Sequence, residues 1–576
     1  MIYLRLFSQD KFSWIMMAFM IVWMIGMAVL YFRMKKINVE LLGIWKKLCL
    51  VPLGVAILHF IFCGFKGKIM LSIMFYGGIY LTSIFISLMP LLCKIKWHKI
   101  TGVVVGVFAI LCTLFTVAYP AITNSGTRNY SHKCFDSSFE ATVENMKEYN
   151  SSYEWKEIDL EELKQEIMPE VKAAEKNSSP VDFYVALCKF TYRLQDGHSW
   201  VKAGSKKIEK AAEEKMAGND YGMSMVRLEN GETIAVCVEK NSQPEKAGIK
   251  FGTVIKKWDG KPIDEAIDEV ECIYTKEYGR WPVAKNEEMY KPIFLAGKGG
   301  PSMEVTYVDQ NGKEQNTRIE KIGNYRERLE KVAGMMQGKN VLKDTKNLET
   351  KMLDEQTGYL RIDSEETNLG NDLKAYIIGE NPYAKQLLVD KIEELKKQGM
   401  SKLIIDVRNN TGGYTSMVRE WASLFTKERF FVNSMADKST GKTRIIKKEY
   451  VEADGRFADL SVIVLTNSRC VSAGDYLVDV LGRCSNVNIK GMTTSCGSSQ
   501  PVGGNCVLTK CYAEVRYPNN WMLDENGNWY IDTKSDRISR LPNDEIIKLT
   551  LEAAKIIFEE EKDYELNYCK NNPYKN

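Results

Sequence analysis

Histidine is scarce: the chain has 4 in 576 residues, and beyond residue 122 only His132 and His198 remain. No Cys-x-x-Cys or His-Glu-x-x-His spacing occurs, so the donor sets of the common zinc sites are missing. Neither a metal nor any other cofactor is expected. Low-complexity tracts and internal repeats are absent, and 41 Gly and 15 Pro are ordinary globular usage, which excludes collagen-like and disordered chains. Charge of one sign is not in excess: 78 Lys+Arg face 74 Asp+Glu, a net of +4, so no nucleic-acid partner is expected. Of the 14 Cys, ten lie beyond residue 122, an even number compatible with disulfides in an oxidising compartment, but no pairing follows from their spacing.

The near-neutral total hides an asymmetry. Residues 1–122 hold 12 Lys+Arg against 2 Asp+Glu, a net of +10, and the remaining residues are net −6. The first part also contains four apolar stretches without any Asp, Glu, Lys or Arg: Phe12–Phe32, Leu48–Phe65, Ile69–Cys93 and Ile100–Ile122. Each has the ~17 to 25 residues that a helix needs to cross a bilayer, so a region of four transmembrane spans is predicted over 1–122. Arg33, Lys35, Lys36, Lys46 and Lys47 in the first connector and Lys94, Lys96 and Lys99 in the third outnumber the basic residues on the other side. By the positive-inside rule this predicts a multi-pass cell-membrane protein with the C-terminal part extracytoplasmic and the bilayer as a partner. His59, inside the second stretch, reads as a packed, hydrogen-bonded residue.

Length predicts about three to four units. Residues 123–217 read as helical: Leu160–Lys176 has apolar residues at helical spacing, and Ser179-Pro180 is a start signal for a helix carrying Val185, Leu187 and Phe190. From 218 to 322 the period becomes strand-like, as in Thr233–Val238 and Met303–Val308. Between these lie Ser242-Gln243-Pro244-Glu245-Lys246-Ala247-Gly248-Ile249 and, further on, Trp258-Asp259-Gly260-Lys261-Pro262-Ile263, a pattern that resembles a PDZ domain with an insertion around 272–296. The resemblance implies capture of an extended peptide at a sheet edge, with Tyr221, Gly222, Met223, Ser224 and Met225 standing where the carboxylate-binding loop belongs. From 323 to 576 strands alternate with helices, notably Ala384–Lys397, Leu403–Val407 and Leu460–Leu465, which indicates an α/β core.

Two strand ends carry chemistry. Leu403–Val407 exits into Arg408-Asn409-Asn410-Thr411-Gly412-Gly413, whose paired glycines allow close backbone approach to a ligand. Leu460–Leu465 exits through a short loop into Val471-Ser472-Ala473-Gly474-Asp475, where Ser472 taken alone reads as a helix N-cap and Asp475 as helix-start polarity. Together the two turns resemble the tail-specific, or C-terminal processing, serine peptidases, with Thr411 in place of that family's Pro. The resemblance covers about residues 180–560 and implies a core of the ClpP/crotonase type, a PDZ insert, and Ser472 as nucleophile.

Many members of that family activate the serine with a Lys about two dozen residues beyond it. Here that place is Thr494-Ser495-Cys496-Gly497-Ser498, and Lys490 comes too early. The tricorn-like branch uses His instead, and Leu194-Gln195-Asp196-Gly197-His198-Ser199 resembles its motif, which makes His198 the general base, with a structural turn residue as the other reading. The branch also has an acid about sixty residues past the serine. Asp532 is the first choice, ahead of Glu525 and Asp524. For the oxyanion, the backbone N–H of Ala473 pairs with that of Gly412 or Gly413. Cys470 and Cys496 lack the basic neighbours of a reactive thiolate. The expected activity is that of a membrane-anchored serine endopeptidase on extracytoplasmic proteins or peptides. The alternatives are an inactive relative that binds peptide or lipid, and a membrane sensor.

Overall fold

Strands buried on both faces need unbroken apolar runs, and Leu403-Ile404-Ile405 and Val462-Ile463-Val464-Leu465 supply them. In the computed structural model these runs are the middle of a five-stranded sheet, ordered Thr350–Met352, Thr357–Arg361, Lys402–Asp406, Ser461–Leu465, Val487–Lys490. The first pair is antiparallel and the rest are parallel, with Ile405 opposite Val464 and Leu465 opposite Lys490. The structure describes residues 126–576 except 151–152, 154–155, 276–280, 282, 368–369, 372–380, 438–443, 500–504, 529–545 and 573–576, and before 126 only Val51–Phe65 and scattered positions, with side-chain burial for a part of that helix. The chain divides into two compact units, Met1–Tyr149 with Gly504–Glu514, and Asn150–Gly503 with Val515–Asn576.

All of the catalytic candidates among the described residues belong to the second unit. Its sheet is covered by the helices Pro382–Lys397, Thr415–Ser423 and Ala473–Leu481, whose Leu388, Ile392, Trp421, Tyr476 and Leu477 share one core with Leu403, Ile405, Val462 and Val464. Asn381 starts the first of these helices by accepting the Ala384 N–H, with Pro382 in the first turn, where its missing N–H costs nothing. The indole N–H of fully buried Trp421 is satisfied by the Ala384 carbonyl at 2.9 Å. Because the four parallel strands run the same way, the turns after Asp406 and Leu465 emerge side by side at their C-terminal ends, where open α/β sheets place their sites.

Ahead of the sheet come the helices Leu160–Lys176, Pro180–Arg193 and Lys206–Ala217, the first two as the periodicity predicts. Ser179 caps the second by accepting the Asp182 N–H at 3.2 Å. A β-rich module follows, made of the antiparallel pair Ser224–Arg227 and Thr233–Val236 and a four-stranded sheet ordered Lys261–Pro262, Ile255–Trp258, Ser302–Val308, Glu314–Glu320. Its two ends, Asn219–Asp220 and Gly323–Asn324, pair antiparallel, as suits a segment set into a longer chain. The helix Ala284–Leu295 falls in the stretch read as an insertion and packs on Ser224–Arg227.

The predicted four-span region is corrected. Among the described residues no helix is long and apolar enough to cross a membrane. The second apolar stretch, expected over Leu48–Phe65, forms a helix of 15 residues, Val51–Phe65. At ~1.5 Å per residue it reaches about 22 Å, short of a ~30 Å hydrocarbon layer. Of the other three stretches, the first and third are described only at scattered positions and the fourth lies outside the described residues. The multi-pass cell-membrane localisation and the orientation drawn from the basic connectors fall with the spans. His59 is buried and hydrogen-bonded to the Tyr80 hydroxyl at 2.6 Å, the packed role read from the sequence.

The catalytic sheet is tied to the C-terminus through one cation. Fully buried Arg408 meets Asp406 at 3.0 and 2.7 Å, Asp563 at 2.8 and 2.7 Å, and Glu565 at 3.2 Å. Removing one partner of such a buried group typically costs ~3–5 kcal/mol, because the remaining charges lose their compensation. Arg408→Met is therefore expected to destabilise the second unit by about that much, read as a lower urea midpoint by circular dichroism. An unchanged midpoint would contradict the anchoring role.

Candidate active site

The Arg408–Gly413 turn has two asparagines because each clasps two other segments. Asn409 has left-handed backbone (φ 59°), and its N–H reaches Asn467 Oδ1 at 3.0 Å while its amide nitrogen donates to the Gln337 carbonyl at 2.9 Å. Asn467 donates to the same carbonyl at 3.1 Å, so the two strand-end loops share one acceptor. Asn410 Nδ2 donates to the Ile362 carbonyl (3.1 Å) and to Glu365 Oε1 (2.8 Å), its Oδ1 accepts the Gly412 N–H (2.7 Å), and its own carbonyl accepts the Val471 N–H (3.0 Å). Thr411 donates its N–H to the Asp363 carbonyl at 3.0 Å, a bond that a proline there would forgo.

Ser472 occupies the N-cap position of Ala473–Leu481 but makes no side-chain cap hydrogen bond. Its backbone lies at φ 63°, ψ −128°, a region costly for a residue with a side chain. The N–H of Ser472 donates to the Ser498 carbonyl at 3.0 Å and its carbonyl accepts the Tyr476 N–H at 2.9 Å. The hydroxyl is left for other work than capping. Gly412 (φ 89°) lies directly opposite: a Cβ there would stand 2.5 Å from Ser472 Cβ, 2.9 Å from its Oγ and 3.0 Å from the Ala473 nitrogen. Only glycine fits between the two turns.

His198 is buried beside the same loop. Its Nδ1 lies 3.0 Å from Ser498 Oγ, and its backbone N–H donates to Asp196 Oδ1 at 2.9 Å. Ser498 Oγ donates to Asp196 Oδ1 at 3.1 Å, and Ser199 Oγ donates to Asp196 Oδ2 at 3.0 Å. Gly197 permits this approach, since a Cβ on it would meet Ser498 Cβ at 2.6 Å. Burial pushes the Asp196 carboxyl up, but the charges of Lys156 and His198, the His198 N–H and the Ser199 hydroxyl outweigh it and hold the carboxyl below its ordinary range. Asp475 accepts the Ser498 N–H on Oδ2, so it fixes this loop as well as opening a helix.

The loop is gripped from the β-rich module too. Buried Asn286, on the Ala284–Leu295 helix, donates to the carbonyls of Thr494 and Ser495 at 3.2 Å and accepts the Thr494 N–H at 3.0 Å. Ser498 and Asn286 escape a reading of the sequence, because no motif joins residues 208 to 302 positions apart. Asp196 does stand in the quoted Asp-Gly-His-Ser motif, and its place two residues before the histidine is the one signal that points to it.

Of the acids named from spacing, Asp532 lies outside the described residues. Asp524 closes its own turn by accepting the N–H groups of Asn526 and Asn528, and Glu525 is exposed. Lys490 donates to the Asn572 carbonyl at 2.9 Å. Burial pushes the Cys470 thiol far up, as expected of an inert cysteine. Of the cysteines expected to allow disulfides, Cys188, Cys272, Cys470, Cys484 and Cys569 are buried free thiols. Tyr221, Met223, Ser224 and Met225 are fully buried at the start of the Ser224–Arg227 strand, and the Gly222 N–H is taken by Asp220 Oδ1 at 2.8 Å. A separate cleft of about 580 Å³ is lined by Val185, Met216, Trp258, Ala266, Leu295 and Met303, and none of the catalytic candidates borders it.

Residues 356–544 match peptidase family S41, so the segment that holds both strand-end turns is a serine-type peptidase domain. Among solved structures, mature CPAF complexed with lactacystin aligns at 12% identity over 76% of this chain and 99% of its own, with a TM-score of 0.45. The photosystem II D1 C-terminal processing protease aligns at 15% identity over 73% of this chain and 97% of its own (TM-score 0.30), and the tricorn protease at 13% over 75% and 37% (TM-score 0.25). These overall likenesses are loose, and the class rests on the domain match. No curated protein matches the chain.

Glu365 lies beneath the glycine turn, fully buried, with its carbonyl accepting the Tyr414 N–H at 2.9 Å and Oε1 held by Asn410. Burial pushes its carboxyl up to about 8, against the lowering effect of the Asn410 bond. The unfolded chain ionises Glu365 near the ordinary 4.5 while the folded chain keeps the proton until about 8. This contribution to stability is therefore full below the first value and is lost as pH rises through the second. Glu365→Gln removes the dependence: relative to wild type it should gain a few kcal/mol between pH 5 and pH 9. Urea denaturation at the two pH values measures this, and parallel behaviour of the two proteins would contradict it.

Proposed function

We propose that the chain is a serine endopeptidase acting on extended protein or peptide segments, with Ser472 as nucleophile and His198 as general base. The observation that carries this reading is the position of Ser498, whose carbonyl accepts the Ser472 N–H while its hydroxyl meets His198 Nδ1, each at 3.0 Å. An unassisted hydroxyl is a poor nucleophile near neutral pH, and an imidazole suits both proton steps. His198 Nε2 takes the proton of Ser472 Oγ as the oxygen attacks the scissile carbonyl carbon. It then gives that proton to the leaving amine as the C–N bond breaks. Water, activated by the same nitrogen, releases the acyl group.

The oxyanion needs preorganised donors, each worth roughly 3–4 kcal/mol of the barrier. The Ala473 N–H follows the nucleophile directly. In the facing turn the Gly412 N–H is committed to Asn410, and the Gly412 carbonyl accepts from Glu365 at 3.3 Å. A trans peptide points its C=O and N–H in opposite directions, so the Gly413 N–H is aimed away from Glu365, and we take it as the second donor.

Presentation of substrate falls to the PDZ-like module, residues 218–322. Ser224–Arg227 pairs with Thr233–Val236 and with no other strand among the described residues, and we take its other edge, from the Tyr221–Met225 segment on, as the place where a peptide strand would add once the buried segment opens. The domains read from the sequence, a helical lead, this module and the peptidase core, serve one reaction in this proposal.

The test is incubation of the purified full chain with a peptide library, analysed by mass spectrometry, and labelling with a serine-directed phosphonate. Wild type should cleave and label at Ser472, whereas Ser472→Ala and His198→Ala should lose ~10³-fold or more in kcat/KM while keeping their circular dichroism. Full activity in either variant overturns the assignment. For the module, amidating the C-terminus of a cleaved peptide should raise KM and leave kcat unchanged.

A further inference from the structure

The hydroxyl of Ser498 has one proton and two neighbours that compete for it. Asp196 Oδ1 lies at 3.1 Å and His198 Nδ1 at 3.0 Å. An ionised carboxylate only accepts hydrogen bonds, whereas an imidazole nitrogen either donates or accepts according to its tautomer. Asp196 is gripped by donors on both oxygens, the His198 N–H and Ser498 Oγ on Oδ1 and Ser199 Oγ on Oδ2. A site built of three donors around one carboxyl is arranged for its anion. The Ser498 proton then goes to Asp196, and its oxygen is left to accept. That requires the proton of a neutral His198 to sit on Nδ1, which leaves the lone pair on Nε2.

We propose that Ser498 and Asp196 are the positioning residues of the catalytic histidine, with the serine hydroxyl relaying the carboxylate's preference to Nδ1 and so fixing the tautomer that lets Nε2 act as base. This rests on the reading of His198 as the general base of Ser472. It differs from the acid expected sixty residues past the nucleophile, because the orienting carboxylate comes from the histidine's own turn and reaches the ring through a third residue. When Nε2 takes the Ser472 proton, the imidazolium keeps its Nδ1–H on Ser498 Oγ. Asp196 stabilises that positive charge through the serine hydroxyl and takes up no proton. Ser498 is well placed to be tested alone. Its carbonyl holds the Ser472 N–H and its N–H is held by Asp475, and an alanine keeps both.

The tautomer is read directly. With 4 histidines in the chain, imidazole ¹⁵N spectra of the full-length protein are simple enough to assign by His198→Gln. The wild-type spectrum at neutral pH should show His198 protonated on Nδ1, and Ser498→Ala should abolish that preference. In peptide cleavage Ser498→Ala should lose about ten- to a hundredfold in kcat with KM within about twofold, and Ser498→Thr, which restores the hydroxyl, should recover most of the rate. Asp196→Asn should lose kcat in parallel, because an amide is able to donate to Ser498 and invert the chain of bonds. An Nε2-protonated His198 in wild type, or wild-type kcat in Ser498→Ala, overturns the relay. A larger loss in Asp532→Asn than in Asp196→Asn moves the orienting role to Asp532 and overturns it as well. The proposed peptidase reading fails separately, by full activity of Ser472→Ala, whatever the tautomer is.

Discussion

The active-site half of this molecule is organised around one unfavourable backbone conformation, that of Ser472. Left-handed backbone at a residue with a side chain costs on the order of 1–3 kcal/mol and persists only where its surroundings over-determine it. Three elements do so here. The Ser498 carbonyl takes the Ser472 N–H, the first turn of Ala473–Leu481 takes its carbonyl, and Gly412 leaves room for the side chain where a Cβ would stand 2.5 Å from it. Relaxing Ser472 into an ordinary N-cap would turn its hydroxyl towards the helix's own N–H groups. The strain and the uncapped hydroxyl are thus two aspects of one arrangement, as in other strand-to-helix turns that present a serine.

What holds that arrangement is spread widely along the chain. Asn409 and Asn467 meet on the Gln337 carbonyl, just beyond the helix that follows the β-rich module, and Arg408 ties the same turn to Asp563 and Glu565 near the C-terminus. The Ala284–Leu295 helix contributes twice: Asn286 grips Thr494 and Ser495, and the Tyr290 hydroxyl lies 3.2 Å from Ser468 Oγ. The loop that leads into Ser472 and the loop after Val487–Lys490 therefore both touch a helix that also packs on the proposed peptide-pairing strand. A displacement of that helix is felt at Ser498 and Ser468 together, since buried amides that lose partners carry the full cost of desolvation.

The pattern of what the sequence discloses follows from the range of the interactions. Local rules hold well: Ser179-Pro180 opens a helix, Leu403–Ile405 and Val462–Leu465 are buried parallel strands, and the Asn-Asn-x-Gly-Gly turn opposes the serine. Each depends on neighbours within a few residues or on a continuous apolar run. The apolar run at Leu48–Phe65 misleads because composition reports hydrophobicity but not where a helix begins and ends, and the helix formed has 15 residues. Ser498 and Asn286 are illegible for a different reason. A serine or asparagine has no compositional signature of function, and theirs arises only when the fold brings segments together across 300 and 208 positions.

The acid shows how the two kinds of information interact. A fixed spacing from the nucleophile is an indirect statement about geometry, valid only while the intervening chain keeps its path. Donor and acceptor counting is direct. A carboxylate that already accepts from Ser199, Ser498 and the His198 backbone has a defined charge state, and a hydroxyl that donates to it has a defined direction. The tautomer of the imidazole follows from those two facts without reference to any relative. The proposed base, placed within its own Asp-x-His turn, also needs no distant strand to arrive in register before its ring is oriented. The one long-range requirement is the Ser498 loop, which already has to be in place to hold Ser472. The proposed nucleophile, base and orienting acid thereby depend on one loop, which meets both the Ser472 turn and the Asp196–Ser199 turn.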